Sequence, residues 1–469
     1  MKGPIWQWDA VDVAAGVRTK LISSREAVQA SLDRLEAVNK EVNAVIDVRA
    51  ELALSHADDA DRAVQRGDVL GALHGVPITI KENVDEAGAA TTHGVVAFRD
   101  AQAAEDSPAV ANLRKAGAIS IGRTNMPAFA MRWHTDNALH GPTYNPWSRR
   151  HTVGGSSGGA AASLAVGITS LAHANDFGGS IRYPAYCCGL VGIKPTVGRV
   201  PHFNPSATDE RPLSVQLFSV QGPMARRAGD LRVALAAMSA RDIRDPSWLP
   251  VPLAGSPIDK PLRVAVTINP SGLGVDPSVA EAVQKAATAL SNAGYEIEHV
   301  EPPEVDAVAE LWWRLAWWEV GELSVGAINT FGDDGVRQAI ELYLASTTKP
   351  DLGSYMRALA ARATHVRKWL AFLEKYPLIL GPVSTAPPFP IDFDRDPAAT
   401  GASLREAQRL LVAVNLLGLP SIAVPTGLSD GVPLGVQIIG SPFREDLCLD
   451  AAEAIEEELT VSTPIDPHG

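Results

Sequence analysis

The feature that most restricts what this chain can fold into is a run of small residues at 154–192, in which two glycine–serine turns bracket an alanine-rich segment. The first turn is Gly154-Gly155-Ser156-Ser157-Gly158-Gly159. Residues 160–166 read as a helix that packs closely because its side chains are small. Residues 168–172 read as a buried strand, and it leads into the second turn, Asp176-Phe177-Gly178-Gly179-Ser180, with Pro184 where the first turn of a helix tolerates proline. Strand, tight turn and helix in that order present backbone N–H groups to an anion. Taken alone, the first turn fits a flexible linker as well as it fits a site. It is not a phosphate loop, because Ala160 stands where the lysine is required.

Upstream, residues 75–81 alternate Val76, Ile78 and Ile80 with other residues, the mark of a half-buried strand that ends at Lys81. Two serines and a lysine at turn positions suggest a hydroxyl nucleophile served by an amine base. A serine hydroxyl is weak until a neighbour removes its proton, and lysine does so only where burial or nearby positive potential keeps it neutral. Moving its pKa from about 10.4 to near 7 or 8 corresponds to roughly 4 kcal/mol of environmental bias.

Residues 73–83, 154–159 and 176–185 resemble the lysine, first-serine and nucleophile segments of the amidase signature hydrolases, and 192–196, 221–226, 415–421 and 435–440 extend the resemblance over nearly the whole chain. That family spaces its two serines by twenty-four positions, which pairs Ser180 with Ser156 and not with Ser157. The resemblance then implies Ser180 as nucleophile, Ser156 as a proton relay held by a cis peptide, and Lys81 as general base and later acid. It implies an oxyanion hole from the N–H groups of Phe177, Gly178, Gly179 and Ser180, with Ser157, Asp176 and Arg182 as supporting polar groups. Glu82, Val153, Asn175 and Phe177 depart from the usual residues of that family. Phe177 sets a ring beside the oxyanion hole and is expected to shape the acyl pocket.

The fold implied is one large α/β/α domain over residues 1–469 around a mixed, mostly parallel β-sheet. An N-terminal helical segment is expected at about 1–66, the signature core at about 67–230, a variable substrate-shaping region at about 246–376, and a C-terminal sheet and helix segment at about 377–469. Local patterns add detail. Ser23 and Glu26 form a capping box opening a helix to about residue 39. Residues 262–266, 279–293 and 295–300 read as a βαβ unit, residues 378–380, 421–424 and 435–439 as strands, and the proline-rich 246–261 as a surface connection. Trp312, Trp313, Trp317 and Trp318 fall on one helix. Trp313 and Trp317, one turn apart, are candidate walls for an aromatic or large apolar substrate.

Charge and composition narrow the function. Lysine and arginine total 41 against 54 acidic residues, a net charge of −13 without long like-charged runs, which argues against nucleic acid. Cys187, Cys188 and Cys448 form no CxxC pair and suit a reducing cytoplasm. The opening residues lack the apolar stretch of a secretory signal, and no later run is long enough to span a bilayer, so no membrane partner is expected. The eleven histidines show no metal-ligand spacing, His134 and His140 being too loose a pair, so neither metal nor organic cofactor is expected. The expectation is a cytoplasmic amidase that hydrolyses a small-molecule amide through an acyl-enzyme, alone or as a homodimer. Two alternatives stand beside it. One is the amidase component of a tRNA-dependent amidotransferase, although residues 202–209 do not resemble the segment such components carry. The other is an inert member that only binds amides, which the filled triad positions argue against.

Overall fold

The Ser23 hydroxyl accepts the N–H of Glu26 at 3.0 Å, and the Glu26 carboxylate accepts the N–H of Ser23 at 2.7 Å. This reciprocal cap satisfies two donors that a helix start leaves unpaired. It opens the helix Ser24–Val42, which runs three residues past the expected end and stops at Asn43 in the left-handed region. The computed structural model describes residues 3–258, 261–400, 402–459 and 461–468.

Among the described residues eleven strands form one sheet: β1 Val45–Val48, β2 Pro77–Lys81, β3 Ile119–Thr124, β4 Leu171–Asp176, β5 Val191–Lys194, β6 Val220–Ala225, β7 Arg263–Val266, β8 Glu296–His299, β9 Leu378–Pro382, β10 Ser421–Ser429 and β11 Val432–Gly440. Their order is β1-β3-β2-β4-β6-β5-β10-β11-β9-β7-β8, so every segment of the chain contributes to it. Helices cover both faces and produce two cores. Along the strands, side chains alternate between them: Ile78, Ile80, Val264, Val266, Leu378 and Leu380 enter one core, while Ala265 and Ile379 enter the other. The same alternation sends Lys81 away from Ile80, to the face that also carries the small-residue helix Gly158–Ala165.

Three expectations need correction. The sheet is mixed but not mostly parallel. Among the described residues β2 pairs in parallel with β3 and β4, and β7 with β8 and β9, whereas the other six pairings are antiparallel. The βαβ unit around the helix Pro277–Asn292 is present. The missed signal was Asp430-Gly431, whose φ values of 50° and 80° make the two-residue turn that folds β10 back on β11. Strand β2 is fully buried rather than half-buried, because helices cover the sheet on both sides. The strand expected at 168–172 starts at Leu171 and continues to Asp176, since the N–H of Ile168 still closes the preceding helix on the carbonyl of Ser163 at 2.8 Å.

The proline-rich connection exposes Leu249, Val251 and Ile258; Asp259 and Lys260 within it lie outside the described residues. Among the described residues no helix is long and apolar enough to cross a membrane. The variant Ser23→Ala is expected to lower folding stability by about 1 kcal/mol, read as a shift in the urea unfolding midpoint at unchanged slope.

Candidate active site

Lys81 ends β2 with its side chain fully buried beneath the first serine turn. Its Nζ lies 2.8 Å from Ser156 Oγ, 2.9 Å from Ser157 Oγ and 2.8 Å from Asn175 Oδ1. The peptide between Gly155 and Ser156 is cis. Asn175 Nδ2 donates to Asn83 Oδ1 at 2.8 Å, which fixes the amide so that only its oxygen faces the lysine. A neutral amine has two N–H groups and one lone pair. With the two hydrogens directed to Ser157 and Asn175, the lone pair is left to accept from the Ser156 hydroxyl. Burial pushes the Lys81 ammonium down to about 7, against the opposing pull of the Asp176 and Glu82 carboxylates.

Ser180 follows β4 in the second turn, ahead of the helix Arg182–Cys188. The turn is tied down by Asp176. Its Oδ1 accepts from Gly179 N–H at 2.8 Å and Asn415 Nδ2 at 2.8 Å, and its Oδ2 accepts from Ile181 N–H at 3.1 Å and Arg182 Nε at 3.1 Å. Arg182 reaches onward to Asn415 Oδ1 at 2.7 Å and Gln437 Oε1 at 2.9 Å. Burial alone would raise the Asp176 carboxyl, but the Arg182 guanidinium beside it holds it well below the usual carboxylate range. Asp176 and Arg182 therefore shape the turn, as supporting groups would.

The expected oxyanion hole loses one member. Because the Gly179 N–H is donated to Asp176, and Gly179 does not line the cavity, it is turned away from any bound carbonyl. Phe177, Gly178 and Ser180 do line it. Among the described residues, no protein acceptor meets the N–H of Gly178 or of Ser180. Both glycines are sterically required. A Cβ on Gly178 would sit 2.7 Å from Trp312, and one on Gly179, where φ is 100°, would sit 2.2 Å from Leu411.

Ser156, Asn175 and Ser180 open on one cavity of about 900 Å³, within the range of small-molecule sites. Trp133, Trp312, Trp317 and Phe177 form its aromatic wall, while Phe203 and Arg211 stand among the residues lining it from the 202–211 segment. That segment is held to the lysine strand's exit by Ser206, whose N–H and hydroxyl donate to Asp85 at 2.7 and 2.8 Å. Trp313 is a correction: it lies outside this cavity, buried against Trp133 and Tyr343 with Arg405 over its ring at 5.4 Å. Trp133 was missed by the sequence reading, and Trp312 was not separated from its neighbours. Both contact the second glycine–serine turn, Trp133 Nε1 donating to Gly178 O at 3.0 Å and Trp312 Nε1 to Phe177 O at 3.1 Å. His134 and His140 go to different partners, Thr152 and Glu82, and no metal-ligand cluster occurs among the described residues. The Cys187 and Cys188 thiols are buried and pushed up by that burial.

A family model described as Amidase matches residues 26–449 of this chain. The chain belongs to the amidase family. It is 46% identical to an indoleacetamide hydrolase of Bradyrhizobium diazoefficiens over 98% of this chain and 88% of that protein. It is 34% identical to a glutamyl-tRNA(Gln) amidotransferase subunit of Moorella thermoacetica over 93% of this chain and 94% of that one. A bacterial aryl acylamidase of the amidase signature family superposes with a TM-score of 0.83 at 26% identity, covering 97% of both chains. The protein is an amide-hydrolysing enzyme of the amidase signature type, built on a single α/β domain.

On the reading of Lys81 as general base, kcat/KM is expected to rise with pH through about 7 and level off above it. Asn175→Asp would set a carboxylate on Nζ, favour the ammonium and move that rise to higher pH; a pH–rate profile of both forms checks the sign.

Proposed function

We propose that Ser180, Ser156 and Lys81 carry the hydrolysis, and that the substrate is a small amide whose acyl side bears an aromatic ring. The observation that carries this reading is a buried, hydrogen-bonded Lys81–Ser156 pair whose serine opens on the same aromatic-walled cavity as Ser180.

In the first half-reaction the Ser156 hydroxyl proton passes to Lys81 Nζ as the Ser180 proton passes to Ser156, and Ser180 Oγ bonds to the carbonyl carbon. The charge that develops on oxygen meets the N–H groups of Gly178 and Ser180, with Phe177 alongside. Donors of this kind, removed singly, typically cost about 10²–10³ in rate. The C–N bond then breaks, the nitrogen taking the proton back through Ser156 from Lys81, and ammonia or an amine leaves. Water repeats the relay against the acyl-enzyme and releases a carboxylate and free Ser180. Asp176 and Arg182 position the turn, and Ser157 holds one hydrogen of the amine.

The aromatic preference rests on Phe177, Trp312, Trp133 and Trp317 around the cavity, and on the 46% identity to a protein named for an indole-bearing acetamide. Offset or edge-on aromatic contacts of this type contribute about 0.5–1.5 kcal/mol each beyond their buried area. The reading as a component of an amidotransferase has weaker support, from relatives at 34% identity. Cytoplasmic residence suits three buried, unbridged cysteines. A homodimer belongs to the same proposal, and the solution mass of the purified chain tests it.

Two measurements bear on this reading. A fluorophosphonate is expected to label the enzyme at one serine, and Ser180→Ala is expected to abolish both label and turnover; label retained in that variant rejects Ser180 as nucleophile. Across a panel of primary amides, the purified chain alone is expected to turn over aryl- and indolyl-acetamides with kcat/KM at least tenfold above short aliphatic ones. A preference for the short amides, or activity only with companion proteins, defeats the substrate assignment.

A further inference from the structure

Two indole N–H groups, from places far apart in the sequence, converge on consecutive carbonyls of the nucleophile turn. Trp312, on the helix Val305–Glu319, donates to Phe177 O at 3.1 Å. Trp133, which follows β3, donates to Gly178 O at 3.0 Å. Both rings are buried, and an indole has no other polar atom to place.

A trans peptide is planar, with its C=O and N–H pointing in opposite directions. Gripping a carbonyl therefore aims the N–H of the next residue. The bond from Trp133 fixes the plane between Gly178 and Gly179, whose N–H end is held by Asp176 Oδ1 at 2.8 Å. That plane is clamped at both ends. The bond from Trp312 fixes the plane between Phe177 and Gly178 and directs the Gly178 N–H the other way, and Gly178 lines the cavity. Glycines have no side chain to restrict the turn, so without these two grips the planes could rotate. The Trp312 ring also fills the space a Gly178 side chain would take.

We infer that Trp133 and Trp312 are positioning residues for catalysis: their N–H groups hold the peptide planes of the nucleophile turn so that the Gly178 N–H is aimed at the developing oxyanion. Two of the four side chains of the aromatic wall thus also form the brace that orders the oxyanion donors. This rests on the Ser180 acyl-enzyme reading and adds a role that ring stacking against substrate does not include.

The test separates ring from N–H. In the full-length enzyme, Trp312 and Trp133 are replaced singly by phenylalanine, and singly by benzothienylalanine, which keeps the indole outline but has sulfur in place of N–H. Each variant is assayed with the aryl-acetamide that the wild type turns over and with a fluorophosphonate. The brace requires kcat to fall about tenfold or more at each position with KM within about threefold of wild type. It also requires phosphonylation of Ser180 to slow in parallel, and the isostere to behave as phenylalanine does. Thermal melting identifies any variant that fails to fold, in which case the shape-preserving isostere decides. Wild-type kcat in the benzothienylalanine enzymes, or a rise in KM at constant kcat, overturns the brace. If the wild type itself is not labelled at Ser180, the acyl-enzyme reading fails instead; labelling of all forms at one rate defeats the brace alone.

Discussion

The candidate site is arranged around one fully buried amine, whose burial favours its uncharged form. Among the described residues, the groups at bonding distance from Lys81 Nζ are neutral oxygens, two hydroxyls and an amide. Lowering its pKa from 10.5 to about 7 corresponds to roughly 5 kcal/mol, a load carried by a sheet covered on both faces. The β-strand period supplies the geometry, since it turns Lys81 away from Ile80 and toward the serine turn. The carboxylates that pull against this, Asp176 and Glu82, have other partners close at hand: Arg182 for the first, Thr92 and His140 for the second.

Charge that must be buried elsewhere in the site is compensated locally. Asp176 and Arg182 are both fully buried and hydrogen-bonded to each other, to Asn415, to Gln437 and to the turn's own N–H groups. Such a pair adds little net stability, but removing either partner leaves an unpaired charge in the interior. Its contribution is shape: the carboxylate dictates where the N–H groups of Gly179 and Ile181 point. The second glycine–serine turn is thus held at its N–H groups by an ion pair and at two of its carbonyls by two indoles.

Much of this was legible in the sequence. The capping box, the βαβ unit, the strand ending at Lys81 and the helix bearing the tryptophans are local patterns of period and cap, and local patterns survive folding. The motif resemblance named Lys81, Ser156 and Ser157 but marked Asn175 only as a departure, and the fold brings Ser156, Ser157 and Asn175 within hydrogen-bonding distance of Lys81 Nζ. What the sequence did not disclose was direction. That the Gly179 N–H turns inward depends on the position of Asp176 Oδ1 in three dimensions. Trp133 and Trp312 meet the turn across 45 and 135 residues of chain, and no spacing rule marks either. Trp313 and Trp317 were paired on helical periodicity, which identifies a shared face but not what that face meets. The parallel character of the sheet was overestimated because one clear βαβ unit was generalised past an Asp-Gly hairpin.

The reach of Arg182 to Asn415 and Gln437 carries a consequence for biosynthesis. All three residues of the Lys81–Ser156–Ser180 set leave the ribosome well before the stretches that secure Asp176 and Arg182. A polypeptide that ends before residue 415 thus contains Lys81, Ser156 and Ser180 but neither Asn415 nor Gln437. A chain that stops short of residue 437 leaves the buried Asp176–Arg182 pair with fewer of the partners that hold the second turn in shape.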